Sequence, residues 1–351
     1  MTKQKQNMLR KQVAAFEKAE TRNSVFQLIN TMAPFFLLWY LAYESLQISY
    51  FLTLGIAVIA GGFLIRMFII FHDCCHGSFF KSKRANKILG MVTGVLTLFP
   101  FEQWKHDHSV HHATSSNLDK RGTGDIWLLT VEEYRESGFW KKVAYRLYRS
   151  PFVMFILGPI YVFLFENRFN RKGARKKEKL NTYLTNILIA AAVAALCLLV
   201  GWKAFLLVQL PIFMISGTAG VWLFYVQHTF EDSYFEENEK WEYVKAAVEG
   251  SSYYQLPKLL QWLTGNIGYH HIHHLSPRVP NYKLEQAHAN SEELQNVPTI
   301  TLATSLKSLK FRLWDEDGKK FVGYKAAKRQ VQSKNVKVVA NPILRKENKY
   351  S

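Results

Sequence analysis

The chain has 351 residues, 48% apolar and 15% aromatic, with a formal net charge of +18. Its mean hydropathy is close to zero, which excludes a protein buried wholly in lipid and fits a few membrane helices carrying a large polar part. No nucleic-acid motif accompanies the charge, so the composition points away from DNA or RNA and toward anionic phospholipid or an acidic soluble partner.

Residues 1–24 are polar and basic and read as a cytoplasmic segment, an amphipathic surface helix. They contain no short apolar run with a small-residue cleavage site, so the first apolar stretch is expected to be a retained anchor. Apolar stretches at 27–46, 49–71, 182–200 and 204–226 each approach the ~20 residues that span a bilayer. Two shorter ones, 88–101 and 151–165, fall below that length, the second broken by Gly158-Pro159. They are expected to lie in the interface or to dip in and return. The loop 168–179, RFNRKGARKKEK, is strongly basic, and short basic loops stay cytoplasmic.

This pattern predicts an all-α membrane protein of four spanning helices in two hairpins, with interfacial or re-entrant helices and a cytoplasmic helical cap. The membrane domain is expected over 25–315, with its metal-binding regions at 72–87, 102–150 and 227–305. Residues 316–351 are expected to form a mobile basic tail. Both termini and every histidine group then share one side of the membrane. Cys74, Cys75 and Cys197 are odd in number and read as small buried thiols rather than a disulfide framework.

Eleven of the twelve histidines fall in four groups: HDCCH (His72, His76), HDHSVHH (His106, His108, His111, His112), QHTFED (His228) and HHIHH (His270, His271, His273, His274). On a helix, positions i, i+3 and i+4 share a face. His72 and His76 have the i, i+4 relation, and His108, His111 and His112 fill i, i+3, i+4, with His106 off that arc. In the last group His270, His273 and His274 repeat the spacing, although His270, His271 and His274 would also share a face. Imidazole-rich sites suit iron, zinc, copper or nickel. Eight or nine imidazoles exceed the ligands of one zinc site, which points to two metal ions. His288 stands alone and reads as an ordinary surface residue.

The HxxxH, HxxHH and distant HxxHH boxes around four spans resemble the membrane fatty-acid desaturase superfamily. HDCCHGSFF, HSVHHATSSNLDKRGTGDIW, QHTFEDSYF and GNIGYHHIHHLSPRVPNYKL are similar to its Bacillus-type acyl-lipid branch. The resemblance implies two iron ions held by His72, His76, His108, His111, His112, His270, His273 and His274, with His228 as a further ligand. Zinc is a possible substitute in a preparation. His106 and His271 are left as outer residues. Asp73, Asp107, Asp125, Glu231 and Asp232 are candidates to receive the other ring N–H of a ligand, Asp125 and Asp232 foremost.

The resemblance further implies a cis double bond placed in phospholipid acyl chains, near the carboxyl end (Δ5), in a bacterial plasma membrane. A C–H bond in the middle of an alkyl tail has no acidic proton, so O2 and redox metal must supply the chemistry. Two electrons are needed, and the sequence has no haem, iron–sulfur or flavin motif of its own. A separate acidic donor such as ferredoxin or flavodoxin is therefore expected on the basic face. Trp104, Trp222, Phe224, Tyr225, Trp262 and Tyr269 flank the boxes as candidate tunnel residues. Fatty-acyl, alkane and carotenoid hydroxylases share such boxes and are the nearest rivals. A metal transporter or receptor is a remote one, because transporters place ligands near the bilayer midplane.

Overall fold

The structure is a computed structural model describing residues 1–325. Among those residues four helices are long and apolar enough to cross a membrane: Thr21–Gln47, Tyr50–His76, Lys176–Val200 and Trp202–His228. The first begins with α2 (Thr21–Glu44) after a short N-terminal helix α1 (Lys3–Ala14), and the second is α3 (Tyr50–His76). The tight turn 45–49 folds α2 and α3 into a hairpin. Ala42, Ala57, Ala60 and Leu64 pack inside it, against Val208 and Ile212 of the second hairpin. The outer faces carry exposed Phe26, Phe36, Phe51, Leu198 and Leu199, as surfaces solvated by lipid do.

Two features differ from the sequence expectation for the spans. The helices run past the apolar stretches, so α3 carries His72 and His76 on its last turns. Gly77, at φ +74°, stops it immediately afterwards. The second hairpin, α9 (Lys176–Val200) and α10 (Trp202–His228), likewise ends on His228. Box one and His228 thus sit on the ends of spanning helices rather than in polar segments beyond them. An α-helix continues through polar residues when a packed partner buries them, and here the cap does.

Between the hairpins lie α4 (Lys83–Thr97), α5 (Phe101–Thr114), α6 (Val131–Glu136), α7 (Phe139–Tyr148) and α8 (Gly158–Leu164). Helix α4 starts at the box end of α3 with Ser82 as its N-cap. Gly90 meets Cys74 and Phe101, Gly94 meets Phe71, and Leu96 packs on the cluster that holds Leu64 and Met67, so α4 runs alongside the box half of α3. Leu98 then adopts a left-handed conformation and the backbone turns back as α5, bringing box two beside box one. The second short apolar piece, from a π turn at Val153–Leu157 through α8, is bent by 64° from α7. It leaves Tyr225, passes Phe213, and returns where Arg171 meets Asp107. Both short pieces thus pack against the spans, the first turning back at Leu98 and the second sharply bent.

The cap consists of α11 (Tyr243–Glu249), α12 (Lys258–Leu263), α13 (His270–Leu275) and short helices to residue 310. It also holds two small two-stranded sheets that the sequence did not announce. Strand β1 (Tyr253–Gln255) pairs in parallel with β2 (Thr299–Thr301), and β3 (Leu313–Asp315) pairs antiparallel with β4 (Lys320–Val322). The predicted tail boundary at 316 is thereby corrected, since Phe321 and Val322 are buried. The mobile tail expected beyond residue 325 lies outside the described residues. Helix α1 is likewise no free surface helix: Leu9 and Val13 pack on Val244, Ile272 and Leu275 of the cap. Cys74 and Cys75 are buried free thiols, and Cys197 is half-buried and free.

Candidate metal centre

Helices α3, α5, α10 and α13 bring nine imidazoles together at one end of the bundle. His72, His76, His108, His112 and His273 each offer a ring nitrogen within 4.8 Å of the others, and His111, His228 and His274 form a second such group. The groups adjoin, because His111–His112 and His273–His274 are sequence neighbours with one member in each. The rings of His112 and His274 stack at 4.3 Å. His270 completes the second group, its Nε2 lying 3.0 Å from His228 Nε2 and 3.2 Å from His274 Nε2. Across the groups' helices, His273 Nε2 approaches His112 Nε2 at 2.9 Å.

The tautomers follow from the outer contacts. Asp125 Oδ1 lies 2.6 Å from His111 Nδ1, Asp73 Oδ1 lies 3.2 Å from His72 Nδ1, and the Gly250 carbonyl lies 3.3 Å from His228 Nδ1. Each acceptor calls for a proton on Nδ1 and leaves the Nε2 lone pair facing inward. His76 Nε2 and His111 Nε2 are buried with no hydrogen-bond partner. Buried imidazoles turned toward one another with inward lone pairs are a donor set for cations. Burial, reinforced by neighbouring imidazoles, depresses the pKa of His108, His112, His270, His273 and His274 well below the usual histidine value. They are held neutral, the state that ligates metal. Two adjoining all-nitrogen groups fit two iron ions, and zinc equally by donor type.

The remaining sequence candidates divide. His271 is fully buried on the other face of α13, its Nε2 3.0 Å from the Leu294 carbonyl, so the ambiguity in the last box resolves toward His273. His106 points away, its Nδ1 3.4 Å from Arg175. His288 is not an ordinary surface residue: it is half-buried, with Nδ1 3.2 Å from His271 Nε2. Asp232 is exposed and touches no box histidine, and Glu231 pairs with Lys307 at 2.8 Å. Those two follow His228 in sequence but lie past the end of α10, where the backbone has turned outward. Asp107 faces Arg171 at 3.3 Å, and burial raises its carboxyl pKa.

Of the aromatic candidates, Trp104 stacks on His108 at 4.2 Å. Phe224 meets His111 and His228 at 5.1 and 5.3 Å, and Tyr225 lines a cavity beside the same two histidines. Trp222, Trp262 and Tyr269 do not face the cluster. Trp222 packs on Phe155, Trp262 covers the Arg66 guanidinium at 4.1 Å, and Tyr269 stacks on Tyr253 at 4.8 Å. Sequence proximity to a box misled here because a helix turns neighbouring side chains to opposite faces. Sequence reasoning missed Asn281, whose backbone N–H and amide Nδ2 both donate to Asp73 Oδ2, at 2.7 and 2.8 Å. No local signal marks it.

Four spanning helices beneath a buried, all-imidazole cluster define a membrane protein built to hold metal at the edge of the bilayer. The fatty acid desaturase family model matches residues 49–300, and the chain belongs to that family of oxidoreductases. It is 72% identical over 324 residues to a fatty acid desaturase of Bacillus subtilis (strain 168), covering 92% of each protein. It is 26% identical to an sn-1 oleoyl-lipid 12-desaturase of Synechocystis, covering 72% of this chain and 70% of the relative. A Synechocystis sn-1 acyl-lipid omega-3 desaturase (ferredoxin) is 28% identical, covering 66% and 64%.

Proposed function

We propose that this desaturase inserts a cis double bond near the carboxyl end (Δ5) of acyl chains esterified in membrane phospholipid. The observation that carries this reading is the convergence of nine imidazoles, buried or half-buried, in two adjoining groups at the ends of two spanning hairpins. His72, His76, His108, His112 and His273 would hold one iron, and His111, His228, His270 and His274 the other. Bound iron supplies the O2-dependent removal of two hydrogens from an unactivated carbon pair, with two electrons and two protons from outside and water as the other product.

The protein's own residues do the positioning. Asp125, Asp73 and the Gly250 carbonyl fix ring orientation, so that the inward Nε2 of His111, His72 and His228 is a lone pair. Trp104 and Phe224 wall the cluster with apolar surface, which suits a hydrocarbon tail and excludes water. The two Synechocystis relatives are named for acyl lipids, and one of them for ferredoxin, which supports a lipid substrate and a separate donor. An acidic ferredoxin or flavodoxin is the donor that suits the basic protein, and the boxes and both termini face the cytoplasm of a bacterial plasma membrane.

The test is purified protein in liposomes of saturated phosphatidylglycerol, given O2 and reduced ferredoxin. The expected product is a monounsaturated tail still esterified, with no product when the same acid is supplied free. Product from the free acid alone would overturn the lipid-substrate reading.

A further inference from the structure

The cavity beside His111 and His228 holds groups that metal binding does not use. Its wall includes Asp125, Phe224, Arg121 and Arg149. Arg149 follows α7 directly and is 1% exposed. One of its terminal nitrogens donates to the Phe311 carbonyl at 2.8 Å and reaches the Tyr225 hydroxyl at 3.3 Å. Its Nε is buried without a partner, and among the described residues no carboxylate forms an ion pair with it. Arg121 holds Glu133 through Nη2, while its Nη1 is also buried and unpartnered.

A staple between α7 and the segment before β3 needs one nitrogen of Arg149, not a guanidinium. The Tyr225 ring centroid lies 5.1 Å from the Arg149 guanidinium carbon, but a buried cation with no carboxylate beside it remains costly unless an oxygen completes its hydrogen bonds. Arg149 and Arg121 both line this cavity beside two imidazoles of the cluster, and each keeps one N–H without an acceptor among the described residues. Phe224 and Ile126 make the rest of that wall apolar, which suits the start of an alkyl tail. The Asp125 carboxylate in the same wall opposes a second carboxylate, so a neutral carbonyl fits better than a free acid.

We propose that Arg149 and Arg121 bind the ester carbonyl of the acyl substrate and thereby set which carbon pair faces the histidine cluster. The proposal rests on the carboxyl-end reading above. A double bond counted from the carboxyl end requires the carbonyl to be held close to the reacting carbons, and these donors lie beside His111 and His228. They act as specificity-determining groups: the carbonyl is anchored and the alkyl tail extends from it past Phe224.

The experiment expresses the full-length protein in bacteria lacking a desaturase, with R149K, R149Q, R121Q and R121M beside it. Double-bond position is read by mass spectrometry across acyl chains of several lengths, with membrane protein levels measured in parallel. The parent is expected to hold one distance from the carboxyl carbon whatever the acyl length. The variants are expected to scatter the double bond over several positions. Unchanged single-position product, at any yield, would overturn the assignment while leaving the carboxyl-end reading intact. A parent that counts from the methyl end would overturn both. If the Arg149 variants fail to accumulate, the Arg121 variants, on a partly exposed loop, decide by the same criterion.

Discussion

Asp125 Oδ1 and His111 Nδ1 stand 2.6 Å apart, joining the loop after box two to a histidine of the second metal group. The carboxylate orients the ring and raises its basicity toward metal. Asp125→Asn keeps the shape and removes the charge. It is expected to weaken metal binding about 10- to 100-fold, read by chelator competition on purified protein. Unchanged affinity would show that the contact serves the loop alone.

Asn281 donates twice to Asp73 Oδ2, while Oδ1 of the same carboxylate faces His72. Asp73 is 2% exposed, so a lost donor is not replaced by water. Asn281→Ala is expected to lower stability by about 1–3 kcal/mol, seen as a reduced melting temperature in detergent. Metal binding should weaken rather than vanish, because the backbone N–H of residue 281 still holds Oδ2.

His271 and His273 are two residues apart and have opposite surroundings. His273→Ala is expected to remove metal and abolish product, whereas His271→Ala should keep bound metal and lower thermal stability. Metal analysis by mass spectrometry separates the outcomes, and equal metal loss in both variants would contradict the assignment of faces.

The metal-free protein should be acid-sensitive well above the range where carboxylates titrate. Burial, with His288 alongside, lowers the His271 pKa to about 3, and burial lowers those of His270, His273 and His274 in the cap and His108 on α5 too. The folded state therefore holds these rings neutral while the unfolded protein takes up protons below ~6.5. Their stabilisation is present above that value and declines as pH falls below it, by up to about 1.4 kcal/mol per pH unit for each ring. Melting temperatures of chelator-treated protein at pH 7.5 and 5.5 measure this. His271→Asn should flatten the slope.

The spans and the box spacing were legible in the sequence because each rests on a short-range regularity. Lipid demands long apolar helices, and the i, i+3, i+4 relation of His108, His111 and His112 follows from helix geometry alone. What stayed hidden depends on contacts between distant segments. Asn281 reaches Asp73 across 208 residues. Lys320–Val322 looked like tail because a three-residue strand is readable only beside its partner Leu313–Asp315. Asp232 and Asp125 looked alike as acids near a box, and only the path of the backbone turns one inward and the other out.

Desaturation is assigned to the nine-imidazole cluster above all. The most direct measurement is acyl-chain analysis of membrane lipids from bacteria expressing the intact protein or a His273→Ala variant at equal membrane levels. New monounsaturated chains with the intact protein, absent with the variant, are predicted. Equal unsaturation in both, or hydroxylated chains in place of unsaturated ones, would contradict the account.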